Sequence, residues 1–213
     1  MATYSSRFRN GIYLNNKILY LIFTTLIICI LGGCAYTTET VKIEYTPSRF
    51  SKVTDTTKTI EVSRLKDMRG VDGKLLFYKG TRVKTSGAYV SEREVSDIVT
   101  EAIKNLLSNQ NFRVVNDNGD LALTGEIFKF DSYHVIGPFG EQIEGIIQLN
   151  LRLMDDKNGN IIWNEILTGS AKKTGVRMDR VSPRKELIES TLDNLMFNIS
   201  ESTSLKKAIE RSD

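Results

Sequence analysis

The chain has 213 residues, 40% of them hydrophobic, enough for a short leader and one domain with a sizeable core. That excludes a wholly disordered chain and a multi-span membrane protein. The formal charge of +3 is carried by Arg7, Arg9 and Lys17 in an acid-free leader, while residues 34–213 hold 26 bases and 26 acids, which gives no support to nucleic-acid binding. Two cysteines, one histidine and one tryptophan exclude a disulfide framework and a Cys/His metal site, and no cofactor is expected.

Residues 1–17 are polar and positive. Ile18–Leu31 then runs for fourteen residues without a charge and is followed by Gly32, Gly33 and Cys34. A basic stretch, a short apolar run and small residues before a cut are the marks of a secretory signal. The run is shorter than the ~20 apolar residues needed to span a bilayer. Leu31-Gly32-Gly33-Cys34 resembles the lipobox of bacterial lipoproteins. The resemblance implies cleavage between Gly33 and Cys34 and a diacylglyceryl and palmitate anchor on Cys34. A thiolate is the nucleophile such a transfer needs. Cys29, inside the apolar run, reads as a small apolar residue. Ala35, where enterobacterial inner-membrane lipoproteins carry Asp, implies the outer membrane, facing the periplasm.

Residues 35–58 hold seven threonines and no apolar run. They are expected to form an extended tether of roughly 25–30 Å reach. Val41, Ile43 and Tyr45 alternate, so part of it is expected to dock as an edge strand before Pro47. Thr59–Leu65 alternates with period two and predicts a strand. Residues 66–90 read as a long Gly- and Lys-rich connection with a small hairpin around Lys79-Gly80. Ser91 and Glu94 have capping-box spacing, with Val90 and Val95 as a hydrophobic staple. Val95, Ile98, Val99, Ala102, Ile103, Leu106 and Leu107 then predict an amphipathic helix.

Phe112–Val115 reads as a short strand. Leu121–Asp131 changes phase near Gly125, which predicts a bulge. Ile143–Leu153 keeps its apolar residues on one face. Asp155–Asn160 is a turn with Asn-Gly at its centre, and Ile161–Leu167 returns. A second helix is predicted from a Ser182 cap and Pro183, with Ile188, Leu192, Leu195, Met196 and Ile199 inside. The fold class expected is α+β: one domain at 59–213, an antiparallel-rich sheet with two helices on one face, after a leader (1–33) and a lipidated tether (34–58).

The leader, the lipobox, this element order and the C-terminal stretch Leu187–Arg211 resemble the YajG family of bacterial lipoproteins. The stretch reads as a helix, a small Ser/Thr-rich break and a final short amphipathic turn. Helix, Asn111-Phe-Arg-Val-Val115 and Leu121-Ala-Leu-Thr-Gly125 fit the family's middle. The resemblance implies fold and location more than mechanism.

No catalytic constellation emerges. His134 lacks a G-x-S-x-G partner and reads as a strand residue. Gly70-Val-Asp-Gly-Lys74 lacks phosphate-loop spacing. Asp155–Glu165 mimics a calcium loop, but Met154 stands at the first ligand place. Asp67-Met68-Arg69 reads first as a local ion pair, with a site as the second reading. Trp163 reads as packing. Lys172, Lys173, Arg177, Arg180, Arg184 and Lys185 face one acid, Asp179, over fourteen residues. Lys172, Lys173, Arg177 and Arg180 are a candidate anionic-surface contact. The expected function is a non-enzymatic, membrane-anchored module for an envelope protein partner. The alternative is a binder of a small apolar or lipid ligand between sheet and helices.

Overall fold

The computed structural model describes residues 18–21, 23–24, 37–48, 57–80, 85–137, 140–175 and 181–212. Cys34, Gly33, Arg177 and Arg180 lie outside the described residues. The chain divides into two compact units, residues 1–36 and 37–213. In the first, residues 18–21 are helical. No described helix is long and apolar enough to cross a membrane.

The second unit is the α+β domain. Its strands are β1 (Thr37–Val41), β2 (Thr59–Val62), β3 (Lys66–Asp67), β4 (Leu75–Gly80), β5 (Thr85–Ser91), β6 (Arg113–Val115), β7 (Leu121–Gly137), β8 (Gly140–Asp155) and β9 (Asn160–Thr174). Its helices are α1 (Val95–Asn109), α2 (Val181–Glu201) and α3 (Thr203–Arg211). One sheet has the order β6-β2-β7-β8-β9, with β3 also pairing β7; the other has the order β1-β5-β4. β7, β8 and β9 are long antiparallel neighbours, whereas β2 runs parallel to both β6 and β7.

The long strands alternate as the sequence predicts. Leu149, Leu151 and Leu153 point inward from β8, beside Ile127 and Leu123 of β7. Against them lie Val99, Ala102, Ile103 and Leu106 of α1 and Leu192, Leu195, Met196 and Ile199 of α2, all at most 1% exposed. This apolar burial is the main stabilising contribution to the domain. α2 comes closest at two glycines. A Cβ on Gly169 would meet the Thr191 carbonyl oxygen at 2.5 Å, and one on Gly145 would meet Thr191 Oγ1 at 2.4 Å. β9 is an edge strand, and α2 covers it: Asn194 Nδ2 donates to the Ser170 carbonyl at 2.6 Å and Asn198 Nδ2 to that of Thr168 at 2.8 Å. Four helix residues advance about 6 Å and two strand residues about 6.7 Å, so the Asn pair matches the strand's outward carbonyls.

Four expectations change. The 66–90 connection is mostly strand: the hairpin expected around Lys79-Gly80 is present but longer, formed by β4 and β5, and β1 adds to β5 in parallel. As expected, the Val41–Tyr45 stretch docks at a sheet edge: Val41 and Ile43 are buried, and the Tyr45 hydroxyl donates to Asp193 Oδ1 at 3.0 Å. The capping box does not form. Ser91 is the last residue of β5 and its Oγ accepts from the Arg93 amide, while Arg64 takes the Glu94 carboxylate at 2.9 Å. The bulge falls between Ile127 and Lys129, just after Gly125. The second helix begins at Val181, ahead of Ser182, and is broken once, at Ser202, whose Oγ accepts from the Leu205 amide and caps α3.

Candidate functional site

Asp67 closes β3, and Arg69 turns back on it. Arg69 Nη2 donates to Asp67 Oδ2 at 2.7 Å and Nε to Oδ1 at 2.9 Å. The same guanidinium donates to the Leu75 carbonyl at 2.6 Å and lies 5.8 Å over the Phe130 ring. The two side chains are only 6% and 15% exposed. Burial pushes the Asp67 carboxyl up, but the Arg69 hydrogen bonds and charge together outweigh it and hold it below its ordinary value. The pair fixes the loop that hangs β4 beside β7, which is the local ion-pair reading of Asp67-Met68-Arg69.

A groove opens next to this lock. Ile127 pairs with Leu149 and Lys129 with Gln148, so Phe128 is the extra residue of the bulge. A bulge re-aims side chains. Phe128 turns outward, 41% exposed, while Phe130 stays in the core. Tyr78 of β4 is 48% exposed, and Met68 and Val71 of the adjoining loop are exposed as well. The groove, lined by Arg69, Val71, Leu75, Tyr78, Phe128 and Phe130, measures ≈ 180 Å³. Exposed apolar side chains scattered singly are ordinary, but a grouped set is the usual mark of an interaction surface. A second, polar hollow of ≈ 340 Å³ lies between residues 42–46 and α1. Its Lys42 pairs with Glu44 and its Arg93 with Glu101.

Among the described residues, the space between sheet and helices, where the alternative reading places a ligand, is packed. The hollow between Phe77, Phe130, Ile147 and Leu187 is ≈ 10 Å³, about the room of one water probe. Leu149, Leu151, Leu192 and Leu195 occupy the space a ligand would take.

The basic segment is largely partnered where it is described. Lys172 pairs with Glu144 at 2.8 Å, Lys173 with Glu186, and Lys185 with Glu189 at 3.7 Å. Arg184 is buried and stacks on Phe77 and Tyr89, with its guanidinium 5.1 and 5.2 Å from the ring centroids. Desolvation lowers its pKa, and Tyr89 and Glu39 act against that shift. Lys172 and Lys173, neighbours near the end of β9, thus point to opposite faces of the sheet, Lys173 toward α2.

The remaining candidates lie in strands and turns. Trp163 Nε1 donates to Ser204 Oγ at 2.9 Å and ties β9 to α3. Asn158 Nδ2 donates to Asp155 Oδ2 and the Gly159 amide to the Asp155 carbonyl, so the calcium-loop mimic is a hairpin turn. Asp72 holds the 70–74 loop by accepting from the Lys74 amide at 2.8 Å. His134 lies in β7 opposite Ile143. The groove was the feature missed from sequence. Its signal was present in Leu75-Leu-Phe-Tyr78, a strand-forming apolar run directly after a turn.

No protein-family model matches the chain, and no curated protein matches it. Solved structures do. Protein XCC0632 from Xanthomonas campestris, described with the family model DUF330, superposes with a TM-score of 0.61 at 12% identity, over 83% of this chain and 100% of that one. A protein described only as uncharacterized gives a TM-score of 0.50 at 11% identity, over 73% of this chain and 96% of that one. A minor lipoprotein from Acinetobacter baumannii aligns at a TM-score of 0.46 and 15% identity, over 70% and 94% of the two chains. The Xanthomonas likeness shows that this chain shares a known α+β fold; the YajG family itself has no matching model behind it.

Proposed function

We propose that the chain is a YajG-like envelope lipoprotein, cut after Gly33 and lipidated on Cys34. On this reading it is held at the outer membrane facing the periplasm. It works without catalysis, as a docking module for an envelope protein partner. The leader and lipobox support the anchor. The observation that carries the docking reading is the exposed apolar set Val71, Tyr78 and Phe128 lining the β4–β7 groove, beside a tightly packed core. The groove volume of ≈ 180 Å³ is below the ~300 Å³ from which small-molecule pockets start. It suits one or two side chains of a protein partner better than a whole apolar ligand.

Photo-crosslinking tests this in cells. A photoreactive phenylalanine analogue at Tyr78 or Phe128 should give a discrete adduct with one envelope protein, and the same analogue at Asn158 should not. Adducts at all three positions, or at none, would refute the groove as the docking surface.

A further inference from the structure

Only Ala35 and Tyr36 stand between Cys34 and the first residue of β1. Three Cα steps reach at most roughly 11 Å. The docked strand therefore removes most of the tether that residues 35–58 suggest.

The sheet register says which end of the domain this short reach belongs to. Thr37 pairs with Gly87 and Glu39 with Tyr89. Arg184 of α2 lies 5.2 Å over the Tyr89 ring, and Glu186, two residues on, takes Lys173 near the end of β9. β1 thus starts at the end of the domain where β9 finishes and α2 begins. The Asp156–Gly159 turn lies beyond the other end of β9. Fifteen strand residues put the two ends roughly 50 Å apart.

We propose that the lipid on Cys34 holds the β1-start end of the domain directly against the bilayer headgroups, with the Asp156–Gly159 turn pointing away from the membrane. This rests on the lipoprotein reading above and fixes the orientation of that lipoprotein. Thr37 and Thr38 are exposed there. Lys172 keeps 65% of its side chain exposed while paired with Glu144, so it faces solvent at this end of the domain. Screening sets the scale of any electrostatic contribution. The ~11 Å reach is close to one Debye length of ~8 Å, and the far turn is several Debye lengths away.

The test uses the full lipidated protein in vesicles of phosphatidylethanolamine and phosphatidylglycerol. Of the two cysteines, Cys29 lies in the leader and Cys34 is the anchor, so one added cysteine carries a single fluorophore. Thr38→Cys, Lys172→Cys and Asn158→Cys are compared against a headgroup-located nitroxide quencher, with intact mass measured on each sample. Quenching several-fold stronger at Thr38→Cys and Lys172→Cys than at Asn158→Cys is the expected result. Inserting about twenty Gly/Ser residues after Ala35, with an r.m.s. reach of roughly 25 Å, should erase most of the difference. Equal quenching at near and far positions, or a difference that survives the insertion, overturns the inference. A mass without lipid on Cys34 overturns the lipoprotein reading instead, so the two failures are told apart.

Discussion

Gly169→Ala should be among the most damaging single-methyl changes in this protein. The added Cβ would meet Leu195 Cβ and the Thr191 carbonyl oxygen at 2.5 Å, and the Leu195 amide nitrogen at 2.7 Å. Two of those three atoms are helix backbone, so no rotamer change relieves the contact. α2 would have to move away from β9 by most of an ångström. That opens gaps around Leu192, Leu195 and Met196, each 0% exposed. Overpacking costs typically 1–3 kcal/mol, and the backbone contact places this change near about 3 kcal/mol. For a chain of this size, each kcal/mol lowers Tm by about 2–4 °C, so the expected loss is about 6–12 °C. Gly159→Ala is the control: its φ is +66°, with nothing within 4 Å of the added methyl. Only left-handed backbone strain acts there, about 1–2 kcal/mol. Thermal denaturation followed by circular dichroism reads both. A Gly169→Ala protein melting within 2 °C of wild type would refute the close helix–sheet packing.

Ile103→Asp and Leu106→Asp, both 0% exposed, should each cost several kcal/mol and abolish cooperative melting, whereas Lys104→Asp should shift Tm by little. Arg69→Met should destabilise by about 3 kcal/mol at pH 7, because it leaves the Asp67 charge without its partner. The Asp67 carboxyl lies below its ordinary value when folded, so its contribution is present above the unfolded pKa of ~3.9 and fades as pH falls through the folded one. The stability gap between wild type and Asp67→Asn should therefore narrow in urea titrations below about pH 4, and a gap that widens on acidification contradicts the ion pair. The double change Asn194→Ala, Asn198→Ala should cost about 2 kcal/mol and expose the β9 edge, giving concentration-dependent aggregation by light scattering.

The elements with one strong period were legible in the sequence. α1 shows its buried stripe at i, i+3, i+4 and i+7, and β8 alternates without interruption, so each buries the residues its pattern names. The segments that misled share a cause: local signals with more than one use. Ser91 and Glu94 have capping-box spacing, yet Ser91 is held in β5 and Glu94 is drawn to Arg64, two long-range contacts that local spacing does not contain. β3 and β5 are short and lie among glycines and lysines; β5 pairs with its hairpin partner β4 but also with Thr37–Val41, and β3 pairs with β7. A parallel partner some fifty residues away leaves no local trace. The groove was invisible for the same reason. It exists only because a bulge at Phe128 meets a hairpin that the chain closes through the Arg69–Asp67 pair. The anchor is a reading of the lipobox alone, on residues outside the described ones.

One measurement reaches the proposed anchor directly. Intact mass of the protein extracted from bacterial membranes should show a chain beginning at Cys34 and carrying diacylglyceryl and acyl groups, with Cys34→Ser accumulating as an uncleaved precursor. A wild-type mass that still includes residues 1–33, with no lipid on Cys34, would contradict it.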